Sequence, residues 1–495
     1  MALDPYYEVV IGLEVHAQML TRSKLFCRCS TRFGAGANRQ ICPVCAAFPG
    51  VLPVLNQEAV NMAIKTGLAI KGRINRLSEF SRKNYFYPDL PAGYQISQYE
   101  LPLVEHGELW IDDSDGQRKR VGITRIHMEV DAGKSLHEGV AGGSWVDLNR
   151  TGIPLMEVVS EPDLRSSAEA GDYLKKLRVL VRYLGVCDGN MEEGSFRCDA
   201  NVSVRRRGHD AFGTRCELKN LNSIRHVMRA IDYEAERQID LLESGQRVRQ
   251  ETRLWDVGQG VTRPMRGKEE AHDYRYFPEP DLPPLRLDEA RIESLRQQLP
   301  ELPDARRQRF IADYGLSDYD AAVLTAGREL ADYYEQVVEQ VAQQLADNAP
   351  TMAKIAANWM MGDLLTWFND DPDKTRALLP AAHLAQLIDM IQRNTISGKI
   401  AKDVLARMYA SASPPEPPSA IVERLGLQQV SDEGALEAAI QAVLQSAPDE
   451  LARYRAGQTR LLPFFVGQVM KATRGKANPA RVNELLQRYL SATET

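Results

Sequence analysis

Through much of the first 290 positions, apolar and polar residues alternate with a period of two, and the polar face carries unusual chemistry. Between positions 9 and 19 every odd residue is apolar (Val9, Ile11, Leu13, Val15, Ala17, Met19), whereas Gly12, Glu14 and His16 fall on even positions. Successive strand side chains point to opposite faces, so Glu14 and His16 share one. Over 123–134, Ile126, Met128 and Val130 oppose His127, Glu129 and Asp131. In 153–162, Glu157 and Glu161 fall on the face of Leu155 and Val159. Phe196, Cys198, Ala200, Val202 and Val204 alternate with Ser195, Arg197, Asp199, Asn201 and Ser203, and Cys216 and Leu218 with Arg215, Glu217 and Lys219. Cys198 and Cys216 are therefore expected as small buried hydrophobes.

Helical spacing interrupts the strands twice. Leu174, Leu177, Leu180, Val181 and Leu184 predict a helix over 167–184 closed by Gly185, and a second helix is expected over 224–242. Four prolines within 278–284 end this strand-rich region, giving a first domain of 1–290. Residues 291–410 have few β-branched runs and read as an all-helical domain. The segment 411–420 (SASPPEPPSA) reads as a semi-rigid linker, and 421–495 as a small helical tail domain. The expected fold class is α+β.

A chain of 495 residues accommodates roughly three such domains. With 44% hydrophobic and 26% charged residues it has ordinary globular usage, and no run is long and apolar enough to span a membrane or resemble a signal peptide, so a cytoplasmic protein is expected. The formal net charge of −6 restricts any nucleic-acid contact to a local patch. Such a patch lies in the last 45 residues, which hold eight basic residues against two acidic ones. There Asn478 can cap a helix that Pro479 begins, and Lys471, Arg474, Lys476 and Arg481 around that corner are candidate contacts to a phosphate backbone. A solvated basic face is the other reading.

Four of the seven cysteines lie close together as Cys27-x-Cys29 and Cys42-x-x-Cys45, the form of a closed, structural four-thiolate Zn²⁺ site. Unliganded reduced thiols are the alternative. Convergence of Glu14, Glu129, Glu157 and Asp199 on one sheet face would be repulsive without cations, and carboxylates suit Mg²⁺. The competing reading is a solvated outer face of an antiparallel sheet. Nucleotide motifs are missing: Gly133-Lys134-Ser135 has Met128 where a P-loop needs Gly, and there is no GxGxxG. The aromatic-rich segment 81–100, with Arg82 and Lys83, suits either nucleotide stacking or a loop covering a core.

Five long strings, YEVVIGLEVHAQMLTRSKLFC, CPVCAAFPGVLPVLN, SRKNYFYPDLPAGYQISQYE, LNRTGIPLMEVVSEPD and MEEGSFRCDANVSVR, closely resemble the B-subunit family of the heterotrimeric aspartyl/glutamyl-tRNA amidotransferases, and VGQVMKATRGKANP resembles its C-terminal domain. The resemblance implies an N-terminal antiparallel-sheet cradle related to glutamine synthetase and guanido kinases, then a helical domain and a tRNA-binding tail. It implies that ATP phosphorylates the side-chain carboxylate of Glu or Asp misacylated onto tRNA(Gln) or tRNA(Asn), and that ammonia displaces the phosphate. On the matched positions it implies Glu14, His16, Glu129 and Glu157 as Mg²⁺ ligands, Asp199 as a further catalytic carboxylate, and Lys83, Ser195, Arg197 and Asn201 as ATP or acyl-phosphate contacts. This chain carries neither an amidase signature nor a Cys/His glutaminase site. The implied partners are therefore a glutaminase A subunit and a small C subunit, together with the misacylated tRNA and the cognate aminoacyl-tRNA synthetase. Two departures stand out: Val130, where the family often has a second acid, and GQTRLLPF before Phe465. The competing functions are a stand-alone glutamine synthetase-like ligase, which needs no basic tail, and a non-catalytic zinc-bearing RNA scaffold.

Overall fold

The alternating segments pair into a nine-stranded sheet. Its order is Val261–Gly267, Glu251–Asp256, Cys216–Lys219, Phe196–Arg206, Tyr7–Gln18, Pro154–Ser160, Arg118–Val130, Val104–Asp112 and Arg73–Ile74. The computed structural model describes residues 5–491 apart from 113–115, 137–142, 268–273, 346–348, 411–414, 429–432 and 474–476. The chain divides into two compact units, Met1–Pro303 and Asp304–Thr495.

In the first unit the Tyr7–Gln18 strand is central and antiparallel to both neighbours. Its odd residues face the core: Ile11, Leu13 and Val15 are almost wholly buried, and removing a side chain such as Leu13 costs about 2–5 kcal/mol. Helices Gln57–Ala69, Ser167–Tyr183 and Ile224–Glu243 contribute to the same core through Ile64, Leu174, Leu177, Val227 and Ile231. The predicted helices thus form, each with a serine cap: Ser166 accepts from the Glu169 amide and Ser223 from the His226 amide. Cys198 and Cys216 are buried as expected.

The sheet departs from wholly antiparallel pairing at one place, where Cys216–Lys219 runs parallel to Glu251–Asp256. A parallel pair needs a long crossover, and the Ile224–Glu243 helix supplies it. A second departure is the register shift between Val159 and Ser160. The extra residue is Thr124 on the Arg118–Val130 strand, which lets both Ile123 and Ile126 reach the core, and Thr124 Oγ1 donates to the Glu161 carboxylate at 2.8 Å.

The proline run at 278–284 does not end the first unit. Helix Glu289–Gln297 follows it and buries Ile292 and Leu295 in the same core. In the second unit one helical core runs from Phe310 to Val422 and another from Leu436 to Leu490. Of the expected linker, 411–414 lies outside the described residues. Pro418 opens helix Pro418–Arg424, whose Ile421 and Val422 are buried in the first of these cores. Proline suits the first helical turn, where its missing N–H has no partner to lose, so this proline starts structure instead of breaking it.

Candidate active site

Strand register brings the polar face together. His16 lies opposite Glu157 on one side and Arg197 on the other, Glu14 opposite Asp199, Gly12 opposite Asn201, and Glu157 opposite His127. His16 Nε2 lies 3.2 Å from Glu157 Oε2 and 3.6 Å from Glu129 Oε1. A second imidazole, His127, approaches the same carboxylates, with Nε2 3.1 Å from Glu157 and 3.7 Å from Glu129. Ser97 Oγ donates to Glu129 at 3.2 Å. Both glutamates are buried, and one donor atom from each of His16, Glu129 and Glu157 fits within 4.8 Å of the others.

The electrostatics follow from that enclosure. Burial opposes charge on His127, but Glu157 and Glu129 outweigh it and push the imidazole up to about 9. His16 is raised for the same reasons. Burial would raise the Glu157 carboxyl, yet His127 and His16 hold it well below the usual range; Glu129 is lowered by His127, His16 and Lys83. Both imidazoles are thus shifted toward their charged form beside two carboxylates held toward theirs. Glu14 behaves differently. Burial and the neighbouring Glu157 and Glu217 raise its carboxyl, while Asn201 Nδ2 donates to Glu14 Oε1 at 2.9 Å.

The other expected residues ring this cluster in separate arrangements. Lys83 stacks its ammonium 4.9 Å from the Tyr274 ring centre; burial disfavours its charge, but Glu129 and then Tyr276 and Glu157 hold it on. Arg197 Nη2 donates to both oxygens of Asp131 at 3.0 Å, and Gln18 Nε2 donates to Asp131 at 2.7 Å. Arg197 Nε is buried with no hydrogen-bond partner among the described residues. Asp199 is tied to Lys219 at 2.6 Å, and Lys219 also pairs with Glu217. The Ser195 hydroxyl is engaged by Asp188 and by the Asn190 carbonyl. A groove of about 640 Å³ opens over this edge, lined by Gln18, Lys134, Arg150, Arg197, Asp199 and Asn222 among others.

The set expected from sequence omits His127, Asp131 and Lys219, which bind its members, and Glu217, which pairs with Lys219. Alternation does place each of them on the polar face, so the signal was present. What it lacked was the cross-strand register that decides which face-sharing residues touch.

The cysteine cluster forms in the same unit. Its four sulfurs lie within 4.8 Å of one another, with Cys45 Sγ 3.9 Å from Cys42 Sγ and 4.0 Å from Cys29 Sγ. A tetrahedron with Zn–S bonds of ~2.3 Å has sulfurs about 3.8 Å apart, so the spacing fits zinc. The Cys42 amide donates to Cys45 Sγ at 3.3 Å. Hydrogen bonds from Asn38 to Asp147 and Val146 pin the loop between the pairs. Within the cluster a hydrogen bond from Cys27 pulls the Cys45 thiol down to about 4, while burial pushes Cys29 up to about 11.

At the tail, Asn478 Oδ1 accepts from the Ala480 and Arg481 amides, and Pro479 begins helix Pro479–Ser491, the cap expected there. Lys471 is exposed, Arg481 pairs with Glu484 at 2.6 Å, and Arg474 and Lys476 lie outside the described residues.

Residues 9–293 match the GatB/GatE catalytic domain and residues 332–490 the GatB domain. The chain is similar to the B subunit of the aspartyl/glutamyl-tRNA(Asn/Gln) amidotransferase of Thioalkalivibrio sulfidiphilus, 58% identical over 485 residues that cover 98% of this chain and 99% of the relative. The B subunit from Alkalilimnicola ehrlichii is 58% identical over 487 residues, covering 98% of this chain and all of the relative. That from Halorhodospira halophila is 56% identical over 488 residues with the same coverage.

Proposed function

The chain belongs to the family of aspartyl/glutamyl-tRNA(Asn/Gln) amidotransferase B subunits and so serves a tRNA-dependent ligase of protein biosynthesis; on that premise we propose how its first unit works. The unit activates the side-chain carboxylate of Glu-tRNA(Gln) or Asp-tRNA(Asn) with ATP and joins it to ammonia. A carboxylate oxygen takes the γ-phosphoryl group and ADP leaves; the ammonia nitrogen then bonds to the acyl carbon, inorganic phosphate departs, and a proton is lost. The observation that carries this reading is the buried Glu129–Glu157 pair bracketed by two histidines, beside an arginine with a free buried N–H.

Phosphoryl transfer is largely positioning and neutralisation of charge. The donor set of His16, Glu129 and Glu157 fits a divalent cation, since its two buried carboxylates have imidazoles rather than lysine or arginine in direct contact. Mg²⁺ held there would neutralise phosphate oxygens and orient them. The protein's own residues do the rest. His127 and Ser97 hold the two carboxylates in place, Lys83 keeps a positive charge facing them, and Asp131 fixes the plane of Arg197. Arg197 Nε is then a donor available to a phosphate oxygen. Asn201 holds Glu14 beside this centre, its carboxyl raised by burial and by Glu157 and Glu217.

Ammonia would come from a glutaminase A subunit, with a small C subunit, the misacylated tRNA and the cognate synthetase as further partners. The cysteine cluster would hold structural Zn²⁺, the tail would contact tRNA through Lys471, Arg474, Lys476 and Arg481, and the sheet would form the glutamine synthetase and guanido kinase-like cradle. Among the described residues no helix is long and apolar enough to cross a membrane, and we place the complex in the cytoplasm. Relatives matched over nearly their full length are amidotransferase subunits, which disfavours both the stand-alone ligase and the scaffold.

The test is amidation of Glu-tRNA and Asp-tRNA by the assembled complex with ATP, Mg²⁺ and ammonium replacing glutamine. Glu14→Gln should abolish amide formation and leave tRNA binding intact. Unchanged turnover in that variant would sink the assignment.

A further inference from the structure

Lysine is among the residues least often buried, because an ammonium taken out of water needs an anion beside it. Lys24 is nevertheless completely buried. Its ammonium has two contacts: the Leu148 carbonyl at 3.3 Å and the Cys45 sulfur at 3.5 Å. No carboxylate pairs with it among the described residues. The arrangement is held on three sides. The Lys24 amide donates to the Cys29 carbonyl at 3.0 Å, the next amide, that of Leu25, donates to Gly152 O at 2.9 Å, and the Lys24 stem runs beside Gly152 next to Cys45. A Cβ on Gly152 would meet Cys45 Cβ at 3.5 Å and Lys24 Cδ at 3.6 Å, and the residue's φ of +84° already favours glycine.

We propose that Lys24 is the built-in counter-ion of the four-cysteine cluster: a positioning residue whose ammonium donates to the Cys45 thiolate and offsets the charge of a bound soft divalent cation. This rests on the reading that the cluster binds Zn²⁺. Four thiolates around one Zn²⁺ carry a net charge of −2, which is costly in a half-buried loop. One ammonium halves that charge, and its N–H fixes the direction of one sulfur lone pair. The sequence hides this role, because a lysine three positions before Cys27 reads as a solvated side chain.

The experiment uses the assembled complex loaded with Zn²⁺ and titrated with a chromophoric chelator, comparing wild type, Lys24→Met and Cys45→Ser. Methionine keeps the buried stem and removes only the charge and donor. The expected result is that wild type holds one Zn²⁺ and Lys24→Met holds it about 10–100-fold more weakly, the usual scale for an outer-sphere partner. Co²⁺ substitution gives a second readout. Intact tetrahedral d–d bands in Lys24→Met would show that the sulfurs still converge, while its sulfur-to-metal charge-transfer band should shift relative to wild type. Equal zinc affinity with an unshifted band would overturn the proposal while leaving the zinc reading intact. A wild-type complex that binds no Zn²⁺ would instead overturn the zinc reading, and the counter-ion role with it.

Discussion

Two clusters of ligand-type side chains occupy the same unit and are built in opposite ways. The histidine–carboxylate cluster stands on adjacent strands of a sheet whose other face is the largest core of the unit, so its geometry is set by register before any cation arrives. The cysteine cluster stands on turns outside the sheet, held by a few hydrogen bonds and by the sulfurs themselves. One is preformed by register, so binding should barely reshape it; if the other binds zinc as proposed, its order should depend more on the metal.

The contrast breaks most visibly if the sheet cluster loses Glu157, which touches both imidazoles. Glu157→Gln in the assembled complex should lower ammonium-dependent amidation by at least about 10²–10³-fold, the scale of losing one electrostatic contact to a developing charge. Its melting temperature should stay close to wild type. A variant that melts far earlier would show the cluster to be structural.

Metal removal should do the reverse to the cysteine loop. Chelation of zinc, or Cys42→Ser, should expose residues 27–45 to limited proteolysis while the sheet core keeps its amide-exchange protection. Protection lost across the whole unit would erase the distinction between the two sites.

His127 sharpens the comparison at smaller scale. His127→Gln should raise the Mg²⁺ concentration needed for half-maximal activity by about 10–100-fold. In cation-free protein the protonated imidazole also links folding to pH. Its folded value, raised to about 9, means that its contribution is fully present below the unfolded value near 6.5 and is lost as pH rises through about 9. Chelated wild type should therefore lose melting temperature between those limits more steeply than His127→Gln, and parallel curves would count against the raised His127 imidazole.

The smallest effect concerns the tail. Lys471→Glu should weaken tRNA binding a few-fold and reduce the dependence of log K on log salt by about 1, without changing either metal site. An unchanged salt slope would make the basic patch an ordinary solvated face.

These differences also explain what could be read in the amino-acid order. Alternation identified the polar face carrying Glu14, His16, Glu129 and Asp199, and cysteine spacing identified the second cluster, because both patterns are local. Contacts between strands were not legible. That His16 meets Glu157, or that Arg197 reaches Asp131 just beyond a strand end, depends on register. Lys24 was invisible for a related reason, since burial of a charged residue is decided by the loops folded over it. The proline-rich segments misled in a simpler way: Pro418 begins a helix, and the run at 278–284 only bends a chain that then returns Ile292 to the same core.

The central claim is that His16, Glu129 and Glu157 hold the divalent cation that supports carboxylate activation. Mn²⁺ can stand in for Mg²⁺, with its binding to the assembled complex followed by electron paramagnetic resonance in wild type, Glu157→Gln and Cys42→Ser. The account predicts a Mn²⁺ site in wild type and in Cys42→Ser, lost in Glu157→Gln together with ADP release from ATP in the presence of Glu-tRNA. Undiminished Mn²⁺ binding and ADP release in Glu157→Gln would contradict it.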